Sequence, residues 1–239
     1  MEPNVIYRHS VVTRILHWLN AVCVFVVLMS GLQIFNAHPR LYWGAYGANT
    51  DAAFIQIGSQ HTPGEKAFPQ WATIPSWQDL AGGRRWHFFF AWLLVCNSAL
   101  YLLVSFVNGH VRRDLVPGRA EIRARHLARE LWNHLRLKFP CGVHYNTLQK
   151  LAYLGVIFLL APMMLVTGLT MSPGVDAAAP WLLDLLGGRQ SARTLHFLTA
   201  MLIVLFIVVH LVMVLLAGPL NELRSMITGR FEVPQDRAQ

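Results

Sequence analysis

Four of the eleven histidines in this chain sit where water is scarce. His17, His87, His196 and His210 lie within or at the edge of long apolar stretches, and a polar side chain there is costly and usually functional. His196 and His210 are 14 residues apart. At 100° per residue that is about 40° short of four turns, so both face one side of a helix, with a rise of roughly 21 Å between them. His87 opens its own apolar stretch from the same side as His196, and His17 matches His210 from the other. The four therefore form two pairs at two depths, each pair drawn from two different helices. Two neutral imidazoles facing each other across a helical bundle suit the axial positions of a b-type haem, which gives each buried ring a partner. With both axial sites filled, such a haem carries single electrons rather than binding oxygen or substrate. A packed histidine, a zinc site or a proton relay are the alternatives. Zinc needs its ligands at one depth, and a relay commonly recruits carboxylates, of which the four stretches contain none.

The elements that must hold these rings are spanning helices. Of the 239 residues, 54% are hydrophobic and 13% charged, with a mean hydropathy of +0.40; soluble domains carry about 25% charged residues. Spans of about 20 apolar residues are expected at about 12–35, 86–107, 148–171 and 195–217. The expected fold class is thus all-α: a four-helix transmembrane bundle holding two b haems in a single domain of residues 1–239, plus short surface helices. One surface helix is expected in AEIRARHLARELWNHLRLKF, from Leu127, Leu131 and Leu135 at spacing four, and another in WLLDLLGG at 181–188. The first apolar run lacks a cleavage site and is expected to stay as a helix.

Charge gives the expected orientation. Of the 20 Lys and Arg residues, 14 lie in the N-terminal segment, the 108–147 loop with Lys150, and the C-terminal segment; the other 6 lie in the 36–85 loop and between the last two spans. The positive-inside rule then puts both termini in the cytoplasm and loop 36–85 on the opposite face of the membrane. This accounts for the net charge of +8 without nucleic acid, for which no motif is present. Cys23, Cys96 and Cys141 are far apart and form no CxxC or CxxCH, so covalent haem, thiolate zinc and iron–sulfur clusters are not expected. Arg84, Arg85 and Arg193 flank the outer histidines and Arg14 the inner one; they could hold haem propionates or simply snorkel. Gly31, Gly155 and Gly168 could make room for a macrocycle or for helix packing.

The motifs Arg14-x-x-His17-Trp18, Arg84-Arg85-Trp86-His87 and His196-x13-His210 resemble those of the di-haem, four-helix cytochrome b subunits of bacterial respiratory enzymes, the cytochrome b-561/Ni-hydrogenase type. RHSVVTRILHWLN and NAHPRLYWG look closest to the thiosulfate-reductase-like branch. The resemblance covers nearly the whole chain and implies a bacterial inner-membrane protein with loop 36–85 in the periplasm. It implies His17 with His210 at a cytoplasmic haem and His87 with His196 at an outer one. It also implies a quinone pocket at the start of the third span, where HYNTLQK supplies Tyr145, Asn146, Gln149 and Lys150, with Asn146 as the expected donor to a quinone carbonyl. An ordinary helix N-cap would explain Asn146 equally well. The function implied is electron transfer between the quinone pool and a periplasmic redox partner of molybdoenzyme type, in either direction. The partner would dock on the long loop 36–85, with its Trp43, Trp71 and Trp77, and Lys150, His144 or water would handle protons. A stand-alone quinone oxidoreductase acting on a small oxidant such as superoxide, or a haem-free anchor or transporter, are the rival readings.

Overall fold

The computed structural model describes residues 5–58, 66–136 and 145–233. His61, Lys138, Cys141, His144 and Arg237 lie outside them, as does the side chain of Leu135. Among the described residues, four helical stretches are long and apolar enough to cross a membrane: α1 (Val11–Phe35), α2 (Leu80–Val107), the stretch Thr147–Thr170, and α8 (Arg189–Ala217). Large apolar side chains such as Ile15, Phe25, Phe89, Leu205 and Leu215 point outward, while Ser30, Thr167, Thr170, Thr194 and Thr199 are buried. Lipid is as apolar as leucine, so burying leucine between helices yields little there; small and hydroxyl residues allow close approach instead.

Each helix start has a local cause. Ser10 caps α1, its Oγ accepting from the Thr13 N–H at 3.2 Å. Asp79 caps α2, accepting from the Gly82 N–H at 2.8 Å. α2 therefore begins six residues before the expected Trp86, and Arg84 and Arg85 ride on its second turn. Gly83 lies so close to α1 that a Cβ there would stand 2.9 Å from Gln33 Cγ. α8 likewise begins at Arg189, not near 195, because the loop after α1 supplies its cap: the Gly44 carbonyl accepts from the N–H groups of Gln190 and Ser191 at 3.0 and 3.1 Å. These are among the donors an α-helix leaves unmet at its start.

The third stretch is α4 (Thr147–Gly155), a π-helical turn (Val156–Leu160) and α5 (Ala161–Thr170), with Pro162 in the first turn of α5. Proline has no N–H and crowds the carbonyl four residues back; the wider π turn lies where that carbonyl falls. The amphipathic helix expected after residue 120 is α3 (Ala124–Leu135), and WLLDLLGG holds α7 (Pro180–Leu185), which follows the short α6 (Pro173–Ala178). α9 (Pro219–Thr228) follows Gly218, whose φ of 108° breaks α8. Two short antiparallel sheets complete the described residues: β1 (Val5–Tyr7) with β4 (Arg230–Glu232), and β2 (Arg40–Leu41) with β3 (Ile55–Gln56).

The chain forms two compact units. One comprises Met1–Trp18, Ser98–Leu159 and Ile203–Gln239; the other Leu19–Asn97 and Leu160–Leu202. In the first, Arg8 bridges to Glu222 at 3.1 Å and β1 pairs with β4, tying the start of the chain to its end. In the second, the loop after α1 is pinned to helices. Gln33 Nε2 donates to the Trp77 carbonyl at 2.7 Å, Asn36 exchanges two hydrogen bonds with the Phe68 backbone, and Thr194 Oγ1 donates to the Tyr42 carbonyl at 2.7 Å.

Candidate cofactor sites

Each compact unit contains one histidine pair. In the second unit, His87 of α2 and His196 of α8 have ring centroids 6.3 Å apart, with planes at 64°. In the first, His17 of α1 and His210 of α8 have centroids 6.4 Å apart, with planes at 61°. With a metal–nitrogen bond of about 2.0 Å and roughly 1.1 Å from ring centre to nitrogen, two imidazoles in line across one metal have centroids about 6 Å apart. Both pairs stand at that separation. Among the described residues no three His, Cys, Asp or Glu side chains gather as a metal site. Each pair thus offers two nitrogen donors, the number an iron needs once a porphyrin fills its plane.

The surroundings of the two pairs differ. His87 Nδ1 lies 3.1 Å from the Val27 carbonyl and 3.3 Å from Ser30 Oγ, and His196 Nδ1 lies 2.9 Å from Thr167 Oγ1. Gly31 and Gly168 abut these imidazoles: a Cβ on either would stand 3.3 or 3.4 Å from a ring carbon. Their small size makes room for the histidines themselves. A Cβ at Gly155 would meet nothing within 4 Å. The His17–His210 pair is framed by rings instead. Trp18 meets His17 edge-on at 5.8 Å, and Phe206 stacks on His210 at 6.0 Å and 17°. Tyr153 touches Phe206, and Tyr145 touches Tyr153 at 5.4 Å, so an aromatic row runs from the start of α4 to His210.

The flanking arginines have separate fates. Arg14 donates from Nη1 to the Ile227 carbonyl, and its Nε is buried with no hydrogen-bond partner among the described residues. That unpaired donor, three residues from His17, is the kind of group an anionic propionate would satisfy. Arg84 and Arg85 are exposed, Arg84 lying over the Phe88 ring. Arg193 is committed elsewhere: its guanidinium donates to the carbonyls of Arg40 and His38 and lies over Phe35, so it fastens the loop to α8.

The residues linked to quinone are likewise engaged. Asn146 is an N-cap: its Oδ1 accepts from the Gln149 N–H at 2.9 Å while Gln149 Oε1 accepts from the Asn146 N–H at 3.2 Å, a complete capping box. Asn146 Nδ2 lies 3.3 Å from His134 Nε2. Lys150 is bonded to both oxygens of Glu121 at 3.0 and 3.1 Å. Tyr145 differs. Its phenol has no hydrogen-bond partner among the described residues, and burial, reinforced by Tyr153, pushes its pKa up to about 12. Sequence reading missed Val27, Ser30, Thr167, Tyr153 and the Arg8–Glu222 pair. Only the hydroxyl–glycine steps at 30–31 and 167–168 left a trace in the sequence.

Residues 8–229 match the sequence profile described as prokaryotic cytochrome b561. The chain belongs to the prokaryotic cytochrome b561 family. It is also 30% identical over 231 residues, 96% of its own length and 100% of the relative's, to a putative protein-methionine-sulfoxide reductase subunit, YedZ1, of Azospira oryzae. As a member of the cytochrome b561 family it is a multi-pass bacterial membrane protein that carries haem b and transfers electrons. The two histidine pairs, with their metal-spanning separations and the spare donor on Arg14, fit that cofactor.

Proposed function

We propose that this cytochrome b561 family member moves electrons between the quinone pool and a periplasmic oxidoreductase through two b haems, with both chain termini in the cytoplasm. His17 and His210 hold the inner haem; His87 and His196 hold the outer. What carries this reading is that each pair comes from two different helices at the separation one metal requires. Each haem, when bound, supplies reversible one-electron chemistry.

The remaining roles belong to the chain's own groups. Arg14, and the exposed Arg84 and Arg85, neutralise propionates, while Arg193 keeps the loop seated. Quinone meets the protein at the start of α4. There Tyr145 donates to a quinone carbonyl, because its phenol is otherwise unpaired and stays protonated across physiological pH. Asn146, Gln149 and Lys150 fix the helix start that presents it. The outer loop 36–85 receives the partner. The relative's name points to a catalytic subunit that reduces methionine sulfoxide in proteins, which fits quinol as the donor and outward electron flow; a molybdoenzyme-type subunit fits that role.

The test is the haem content of the purified chain together with its response to quinol. Two haems per chain, with sharp reduced bands developing on addition of a quinol analogue, are expected. One haem or none per chain, or bands that dithionite reduces and quinol does not, would overturn the proposal.

A further inference from the structure

Two segments of the chain read alike: VVLMSG at Val26–Gly31 and MMLVTG at Met163–Gly168. Each is four apolar residues, a hydroxyl residue and a glycine, and both belong to the same compact unit. Each hydroxyl donates back along its own helix, Ser30 Oγ to the Val26 carbonyl at 2.7 Å and Thr167 Oγ1 to the Met163 carbonyl at 2.6 Å. A hydroxyl has one proton. With that proton spent on a carbonyl, the oxygen can only accept from what faces it, and what faces it is an imidazole.

His87 Nδ1 faces Ser30 Oγ at 3.3 Å and the Val27 carbonyl at 3.1 Å. His196 Nδ1 faces Thr167 Oγ1 at 2.9 Å. Carbonyls cannot donate, and these hydroxyls have nothing left to donate. A proton on Nδ1 satisfies both rings against these acceptors and leaves both Nε2 atoms as bare lone pairs, the form a metal takes. The glycine completes each seat, since a Cβ at Gly31 or Gly168 would press on the ring it faces.

We propose that Ser30 and Thr167 are positioning residues that fix the tautomer of His87 and His196 and strengthen them as donors, so lowering the reduction potential of the haem they hold. This rests on the reading that this pair ligates a haem. An acceptor behind Nδ1–H draws its proton away, enriches Nε2 in electrons and favours the ferric over the ferrous state. No hydrogen bond to a ring nitrogen of His17 or His210 is present among the described residues, so the effect belongs to one site. It makes the outer haem the stronger reductant by that increment, suited to passing its electron to a partner.

The experiment is a potentiometric titration of the full-length protein in detergent, with parent, Thr167→Val, Thr167→Ser and His196→Ala compared. The potential component missing from His196→Ala identifies the outer haem. In Thr167→Val that component should rise, with the oxidised-to-reduced ratio at fixed potential falling about tenfold, equivalent to 59 mV for one electron. Its ferric low-spin resonance should shift, the other component should stay put, and Thr167→Ser should restore the parental value. Loss of the outer haem from Thr167→Val with retention at parental potential in Thr167→Ser would also support the seat. An unmoved potential in a fully loaded Thr167→Val, or haem loss from both variants, would overturn it. If His196→Ala keeps both haems, the ligand reading itself has failed, which is separable from failure of the seat alone.

Discussion

The His87–His196 pair is held by hydrogen bonds, whereas the His17–His210 pair is held by rings. Around the first, two hydroxyls, the Val27 carbonyl and two glycines lie against the imidazoles, with Phe88 edge-on to His87 at 6.2 Å. Around the second, Trp18 and Phe206 supply flat apolar walls, and the Tyr153–Tyr145 row extends them toward the start of α4. Directional contacts fix a proton and a donor strength; stacking fixes position alone. The difference fits the two tasks proposed for them. A site that hands electrons to a protein gains from a tuned potential, and a site that meets a diffusing ring gains from an aromatic approach.

The strongest way to break this comparison is to remove a ligand from each side. His196→Ala and His17→Ala should each lose one haem of two, measured as haem per chain, and they should lose different spectral components. Identical spectra from the two variants would mean that the pairs are not independent sites. Next in size is Tyr145→Phe, which removes one donor and leaves the aromatic row intact. Loss of a hydrogen bond of about 1.4 kcal/mol should slow quinol-driven reduction about tenfold without moving the outer potential, as followed by stopped-flow absorbance.

Arg193→Ala sharpens the other side. It cuts two charge-assisted bonds to the Arg40 and His38 carbonyls, each of a kind worth about 1.5–3 kcal/mol, so a loss of about 2 kcal/mol is expected after water substitutes in part. The signature is faster proteolysis within residues 36–58, with haem retained; haem loss would make Arg193 a propionate partner after all. The smallest effect is at Lys150→Gln. Hydrogen bonding from the Gly118 N–H, then from Lys150, holds the Glu121 carboxyl below its usual range. A carboxyl lowered on folding adds stability above its unfolded pKa and loses it as pH falls through the folded value. The variant should show a shallower loss of thermal stability on acidification than the parent, as followed by thermal melts across pH.

The sequence carried much of this because spanning helices are written in composition. Long apolar runs need no tertiary partner to be recognised, and His196 and His210 share a face by helical arithmetic alone. The starts of α2 and α8 were harder. Gly82, Gly83, Arg84 and Arg85 dilute the apolar signal of α2, and the cap of α8 comes from Gly44, over a hundred residues away in the chain. The roles of Arg193 and Lys150 depend on carbonyls and a carboxylate distant in sequence, so proximity to a histidine or to a motif could not reveal them. Asn146 is the opposite case: N-x-x-Q ahead of an apolar run is a capping box on its face, and that local chemistry is what the helix start shows.

The Gly44 carbonyl ends the first turn of α8, five residues before His196, and Ser191 Oγ grips the Gly44 N–H in return at 2.7 Å. The hairpin proposed to receive a partner is thus bolted to the rod that bears His196. On the proposed reading, a partner's pressure on that lobe becomes leverage on the rod and gears docking to the alignment of His196.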